Sequence, residues 1–87
     1  MTITTKYAGP TNTQGSRVIA TDNDGNRVSL GYASELNSDQ NHDRAAIALV
    51  RKMKRNGTLV RGSMARGYVY VFAAFGSIVE VQPNDEN

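Results

Sequence analysis

Cysteine is absent and histidine occurs once in the 87 residues. Without cysteine the chain can build neither a disulfide framework nor a thiolate metal or redox centre. A lone histidine, His42, leaves no histidine-based zinc site within one chain, and no metal or cofactor is expected. Long apolar runs are missing too: no stretch approaches the ~18 apolar residues that a bilayer-spanning helix needs. The opening segment "MTITTKYAGP" lacks the apolar run of a signal peptide. A soluble protein without a membrane partner is expected, working in the cytoplasm of the cell that makes it. Charge of one sign is also in short supply, with ten basic residues against eight acidic and a formal net charge of +2. Self-repulsion that small does not oppose folding.

Leu, Ile, Val and Phe together make up 18 of the 87 residues, just above the ~20% below which disorder is the default. The reading is one small folded domain, near the low end of the size range that folds alone. The domain is placed at residues 1–82, followed by a flexible tail, 83–87, that holds Asp85 and Glu86.

Alternation of apolar and polar residues marks the strands. "TITTKY" (2–7) is dominated by β-branched residues and reads as the first. "SRVIATD" and "NRVSLGY" flank Asp24-Gly25, where glycine accepts the positive φ of a tight turn, and predict a hairpin of strands 17–22 and 27–32. Over 33–57 the period changes to that of a helix. Ser38 or Asn37 can cap its start, Asp39 suits the positive end of its dipole, Lys52, Lys54 and Arg55 suit the other end, and Gly57 is the expected terminator. At 100° per residue His42, Ala46, Leu49, Val50 and Met53 share one side, while Arg44, Ala48, Arg51 and Arg55 share the other. Beyond it, "TLVRG" (58–62) reads as a short strand, "SMARG" as a turn, and "YVYVFAAF" (68–75) as a strong strand. "IVEVQ" (78–82) reads as a strand that Pro83 stops. The order β-β-β-α-β-β, with short connections and one helix, predicts an α+β fold: an antiparallel sheet of five to six strands with an amphipathic helix on one face.

The chemistry-bearing residues are few. "GPTNTQGS" (9–16) has glycines placed like those of a phosphate loop, but Ser16 leads into Arg17 and a strand, so no helix N-terminus meets the loop. It reads either as a connection held by Thr and Asn side chains bonding nearby backbone or as a contact loop through Thr11, Asn12 and Thr13. Arg44, Arg51 and Arg55, flanked by Lys52 and Lys54 and joined by Arg17, Arg27, Arg61 and Arg66 if the fold brings them together, form a candidate surface for an acidic protein or for nucleic-acid phosphates. An ordinary solvated helix face, with Gln40 and Asp43 as local compensation, is the plainer reading of that stripe. No nucleophile or carboxylate can be set beside His42 by spacing, so it is expected to bond backbone structurally. Tyr68, Tyr70 and Phe72 alternate as core residues do, and no RNA-binding signature accompanies them. No catalytic residue is assigned.

Three of these segments together resemble small proteins of tailed bacteriophages and prophages. "KYAGPTNTQGSRVIA" is similar to their N-terminal tyrosine, Gly-Pro-Thr-Asn-Thr and Gly-Ser-Arg. "NHDRAAIALVRKM" is similar to their asparagine-histidine-x-x-alanine-alanine helix, and "GTLVRGSMARGYVYVF" to their closing Gly-x-Leu-Val and Gly-Tyr-x-x-Val. The resemblance spans much of residues 6–72. It implies a phage origin rather than an activity; together with the lack of an assignable active site, it makes the leading expectation a phage accessory protein that acts in the bacterial host by stoichiometric binding to a host protein or ribonucleoprotein, inhibiting a host defence complex such as a CRISPR effector. A small nucleic-acid-binding regulator using the basic helix face is the second reading; an enzyme and a minor virion component stand behind both. Exposed sheet edges would also permit a homodimer.

Overall fold

Runs rich in β-branched and aromatic residues organise an antiparallel sheet, which the computed structural model describes, with the helix, over residues 2–73. Strands β1 (Thr2–Ala8), β2 (Arg17–Asp22) and β3 (Arg27–Gly31) precede helix α1 (Ser38–Lys52), and β4 (Leu59–Met64) and β5 (Gly67–Phe72) follow it. The sheet order is β3-β2-β1-β5-β4, and every pairing is antiparallel. This is the expected α+β class. The expected strand at 78–82, the last two residues of the strand expected at 68–75 and the tail at 83–87 lie outside the described residues.

Asp22 builds the β2–β3 turn. Its Oδ1 accepts from the amides of Asp24 and Asn26 at 2.9 and 2.8 Å, and its Oδ2 accepts from Asn26 Nδ2 at 2.8 Å. Gly25 supplies the positive φ of 90°. Desolvation pushes the buried carboxyl upward, but the bonds from Asn26, Asp24 and Gly25 outweigh it and hold its pKa below the usual value. The other hairpin, β4–β5, closes through Ala65 and Arg66 alone, so the strands are longer than the expected five-residue turn at 63–67 allows.

The helix begins in a capping box. Asn37 Oδ1 accepts from the Gln40 amide at 2.8 Å, and Gln40 Oε1 accepts from the Asn37 amide at 3.0 Å. Gln40 is thereby committed to the cap and does not compensate the arginine stripe. At the other end Gly57 is not the terminator. Lys54 takes the left-handed conformation, φ 57°, and the Arg55 and Lys54 amides fold back on the carbonyls of Val50 and Arg51 at 3.1 and 3.0 Å, the paired reverse bonds that close many helices. Arg55 consequently lies beyond the helix rather than on its face, because the chain has already turned away at Lys54.

The core forms where α1 crosses the sheet: Ile3, Val18, Ala20 and Tyr70 below, Ala45, Ala46, Leu49 and Val50 above. Ala45 and Ala46, both fully buried, let the helix axis come close to the strands. Asn41 is buried as well and ties the β3–α1 connection to the helix. Its Oδ1 accepts from the Ala33 amide at 2.8 Å, and its Nδ2 donates to the carbonyls of Ala33 and Asn37 at 2.9 and 3.0 Å. The helix lies over β1, β2 and β3 and touches β5, leaving β4 outside its footprint. β4 is also a sheet edge.

Candidate binding surface

The period of the helix brings some of the sequence-derived candidates together and leaves others apart. Arg44 and Arg51 lie on the outer face of α1, two turns apart or about 10.5 Å along the axis, and both are exposed. Arg55, although off the helix, rejoins Arg51: the two border one apolar hollow of 210 Å³ with Ile47, Val50, Gly57 and Leu59. Lys52 turns away, its Nζ donating to the Arg27 carbonyl at 2.9 Å, and so fastens the helix end to the start of β3. Arg17 follows the strand alternation onto the sheet face opposite the helix, since its neighbour Val18 points into the core. It does not extend the helix patch, and its Nη1 is buried without a partner among the described residues.

The 9–16 loop divides residue by residue. Thr11 is structural: its Oγ1 accepts from the Gln14 and Thr13 amides at 3.0 and 3.3 Å, and its own amide donates to the Gln14 carbonyl at 2.7 Å. Asn12 and Thr13 are exposed and contribute no side-chain hydrogen bond among the described residues. Tyr7, whose hydroxyl donates to Ser16 Oγ at 2.8 Å, anchors the end of the loop. The connection reading therefore holds for Thr11.

A polar cluster that residue spacing did not reveal joins α1 to the far end of the sheet. Arg61 Nη1 donates to both carboxylate oxygens of Asp43, at 2.9 and 2.8 Å, and its Nη2 lies 3.5 Å from Asp39. Tyr70 donates to Asp43 Oδ1 at 2.6 Å and Tyr68 donates to Asp39 Oδ1. The guanidinium also sits over the Tyr68 ring, 5.4 Å from its centre, a cation–π arrangement. Bonding to Asp43 raises the Arg61 pKa. Desolvation, aided by the bond to Asp43, raises that of Tyr70, and the bond to Asp39 raises that of Tyr68. Asp43 thus serves Arg61 and Tyr70 and does not compensate Arg44. Its Asp39/Asp43 spacing, one helical turn, was the available sequence signal for a paired acidic site on that face.

His42 bonds a side chain, not the expected backbone. Its Nδ1 lies 2.7 Å from Thr5 Oγ1 across the α1–β1 interface, and its ring meets Tyr68 edge-on. Burial lowers its pKa against the opposing pull of Asp39 and Asp43, which keeps the imidazole neutral at pH 7. Thr5 is 1% exposed, so its hydroxyl meets no substrate; the pair locks helix to sheet.

Between α1 and β4 runs a groove. A hollow of 400 Å³, lined by Asp43, Ile47, Gly57, Leu59, Arg61 and Tyr70, continues through the shared Ile47, Gly57 and Leu59 into the one bordered by Arg51 and Arg55. Ion pairs among the described residues involve Arg61 alone of the basic side chains, so Arg44, Arg51 and Arg55 carry unpaired charge there. Among the described residues no group of three acidic or histidine side chains could hold a metal ion, and no helix is long and apolar enough to cross a membrane. No family model matches the chain, and neither a curated protein nor a solved structure matches it.

Proposed function

We propose that the protein acts by stoichiometric binding: a phage-type accessory protein that inhibits a host defence complex, such as a CRISPR effector, by covering an acidic surface of that complex. The observation that carries this reading is the contrast between Arg61, held by two carboxylates, and Arg44, Arg51 and Arg55, which are exposed and unpaired among the described residues. Exposed guanidinium groups are weakly hydrated and fork-shaped, suited to carboxylates across an interface, and charge complementarity of this kind sets association rate and partner choice. The Asn12–Thr13 tip of the loop is the second proposed contact. The phage-like segments supply the host context, and the pairing of His42 with buried Thr5 speaks for architecture at the position where catalysis would otherwise be sought.

Affinity capture from host lysate with the full chain as bait tests the reading. A host protein or ribonucleoprotein retained at a 1:1 ratio, and lost when Arg44, Arg51 and Arg55 are all changed to Glu, is the expected result. Failure to retain any host component at low salt overturns it.

A second reading, a small nucleic-acid-binding regulator, draws on the same arginines, since no acidic residue lies between Arg44 and Arg51 on their stripe. It requires affinity for DNA or RNA that falls steeply with salt, with a slope that decreases by about one for each arginine removed. Titration with labelled oligonucleotides at two salt concentrations separates the readings.

A further inference from the structure

The groove between α1 and β4 has a property that the arginine stripe alone does not. One wall is a sheet edge. β4 pairs with β5 on one side only, so every second N–H and C=O of Leu59–Met64 points away from the sheet with no strand to meet it among the described residues. The helix, which covers the other edge strand β3, does not reach over β4. The strand's helix-facing residues Leu59 and Arg61 therefore line an open trough rather than a closed core.

The floor and rim differ in chemistry. Ile47, 43% exposed on the helix, faces Leu59 and Tyr70 across the trough and makes its floor apolar. Arg51 and Arg55 stand at one end of it, unpaired among the described residues. Arg61 stands at the other end with its charge already met by Asp43. Among the described residues no carboxylate pairs with Arg51 or Arg55, which leaves positive charge at that mouth.

We infer that this groove receives an extended acidic segment of the protein partner, added as a further strand along β4. The inference rests on the binding reading above and specifies the partner's chemistry. A strand at the usual spacing of about 4.8 Å from β4 meets the free backbone groups, and its side chains alternate between the two faces. Side chains on the helix side enter the trough, where an apolar residue covers Ile47 and Leu59. Carboxylates of the same segment reach Arg51 and Arg55 and are recognised by paired N–H donors. Backbone pairing supplies affinity without sequence demand, whereas the apolar floor and the arginine end select a segment whose helix-side positions, every second residue, carry an apolar residue and then an acidic one. A nucleic acid has no peptide edge to offer β4 and gains nothing from the apolar floor.

The probe is a synthetic peptide of two Val-Thr-Glu-Thr repeats at pH 7, which puts valine and glutamate on one face, titrated into the protein and followed by amide chemical shifts and hydrogen exchange; a Val-Thr-Lys-Thr peptide and a single-stranded oligonucleotide are compared with it. The inference expects the acidic peptide to bind with shifts concentrated at 59–64 and 47–51, and at least tenfold slower exchange of the outward β4 amides on binding. It also expects at least fivefold weaker binding in both Ile47→Glu and Arg51→Glu/Arg55→Glu, two surface changes that leave the core intact. No binding, binding elsewhere, equal binding of the lysine peptide, or tighter oligonucleotide binding at these residues overturns it. Slow β4 exchange in the unliganded protein overturns it as well, because the edge would already be covered: by the protein's own chain if the slowing is independent of concentration, by a second copy if it is not. A host partner captured equally by wild type and Ile47→Glu removes the groove while leaving the binding reading in place; capture of no partner removes both.

Discussion

Arg61 on β4 and Asp43 on α1 are held together by one guanidinium nitrogen donating to both carboxylate oxygens, at 2.9 and 2.8 Å. This link spans the open groove and ties the edge strand to a helix that otherwise stops short of it. Both side chains are more than a third exposed, so the ion pair itself is screened. Arg61→Ala should cost little, because an exposed, screened ion pair contributes little to stability. Asp43→Ala should cost more, about 1–2 kcal/mol, because it also strips the hydroxyl of the buried Tyr70 of its acceptor. Urea denaturation of the two variants checks the order, and an equal cost would show that Tyr70 does not depend on Asp43.

Thr5 and His42 form the second link, and it is buried. Thr5→Val keeps the shape but leaves imidazole Nδ1 without a partner, at a cost of about 1–3 kcal/mol. Titration adds an independent signature. Burial lowers the folded-state pKa of His42 below its unfolded value of about 6.5. The unfolded chain therefore binds the proton first as pH falls. Stability from this group is fully present above about pH 6.5 and is lost as pH drops through the folded pKa. Denaturation midpoints from pH 8 to 5 should fall in the wild type, and a His42→Gln variant should lack that component.

Tyr68 and Tyr70 give the opposite slope at high pH. Both folded-state values are raised above the usual tyrosine value of about 10, so the unfolded chain loses these protons first. Their contribution is complete below pH 10 and is lost as pH climbs through the folded values. Absorbance of tyrosinate should rise together with unfolding above pH 10, and Tyr70→Phe should reduce the steepness of that loss.

Lys54 occupies a left-handed position that favours glycine, with φ 57°. Lys54→Gly removes a steric cost of about 1–2 kcal/mol and adds an unfolded-state entropy cost of about 0.5–1 kcal/mol. A net gain of about 0.5–1 kcal/mol is expected, read as a higher melting temperature. A lower one would mean that the lysine side chain stabilises the turn by contacts of its own.

Gly67 makes the contrary demand. It pairs with Lys6 in the β1–β5 ladder, and a Cβ there would overlap the Thr5 carbonyl oxygen. Gly67→Ala should destabilise by about 3 kcal/mol or more, since backbone cannot move aside as a side chain can. Normal folding of that variant would show that β1 and β5 are free to separate locally.

Period and turn chemistry made most of the elements legible before the structure. The alternation in 2–7 and the β-rich runs of 17–22 and 27–32 on either side of Asp24-Gly25 suffice for three strands, because β-branched residues favour extended backbone and the turn residues fix where the chain reverses. The wheel over 38–53 placed Ala46, Leu49 and Val50 correctly against the sheet for the same reason. Asn41 escaped it: a polar residue reads as outward until the Ala33 and Asn37 backbone groups that it satisfies are in place.

The class of the fold, the capped helix and its arginine-bearing outer side were determined by the sequence alone, since each depends on interactions within about four residues. Tertiary structure decided what lies far apart in the chain. It set β1 between β2 and β5, paired His42 with Thr5, drew Asp43 to Arg61 and Tyr70, and sent Arg17 to the face opposite Arg51. It also left β4 as a free edge among the described residues, beside unpaired arginines. Those outcomes depend on which strands meet, and the pairing energy of one antiparallel edge with another is carried by backbone groups that every residue shares.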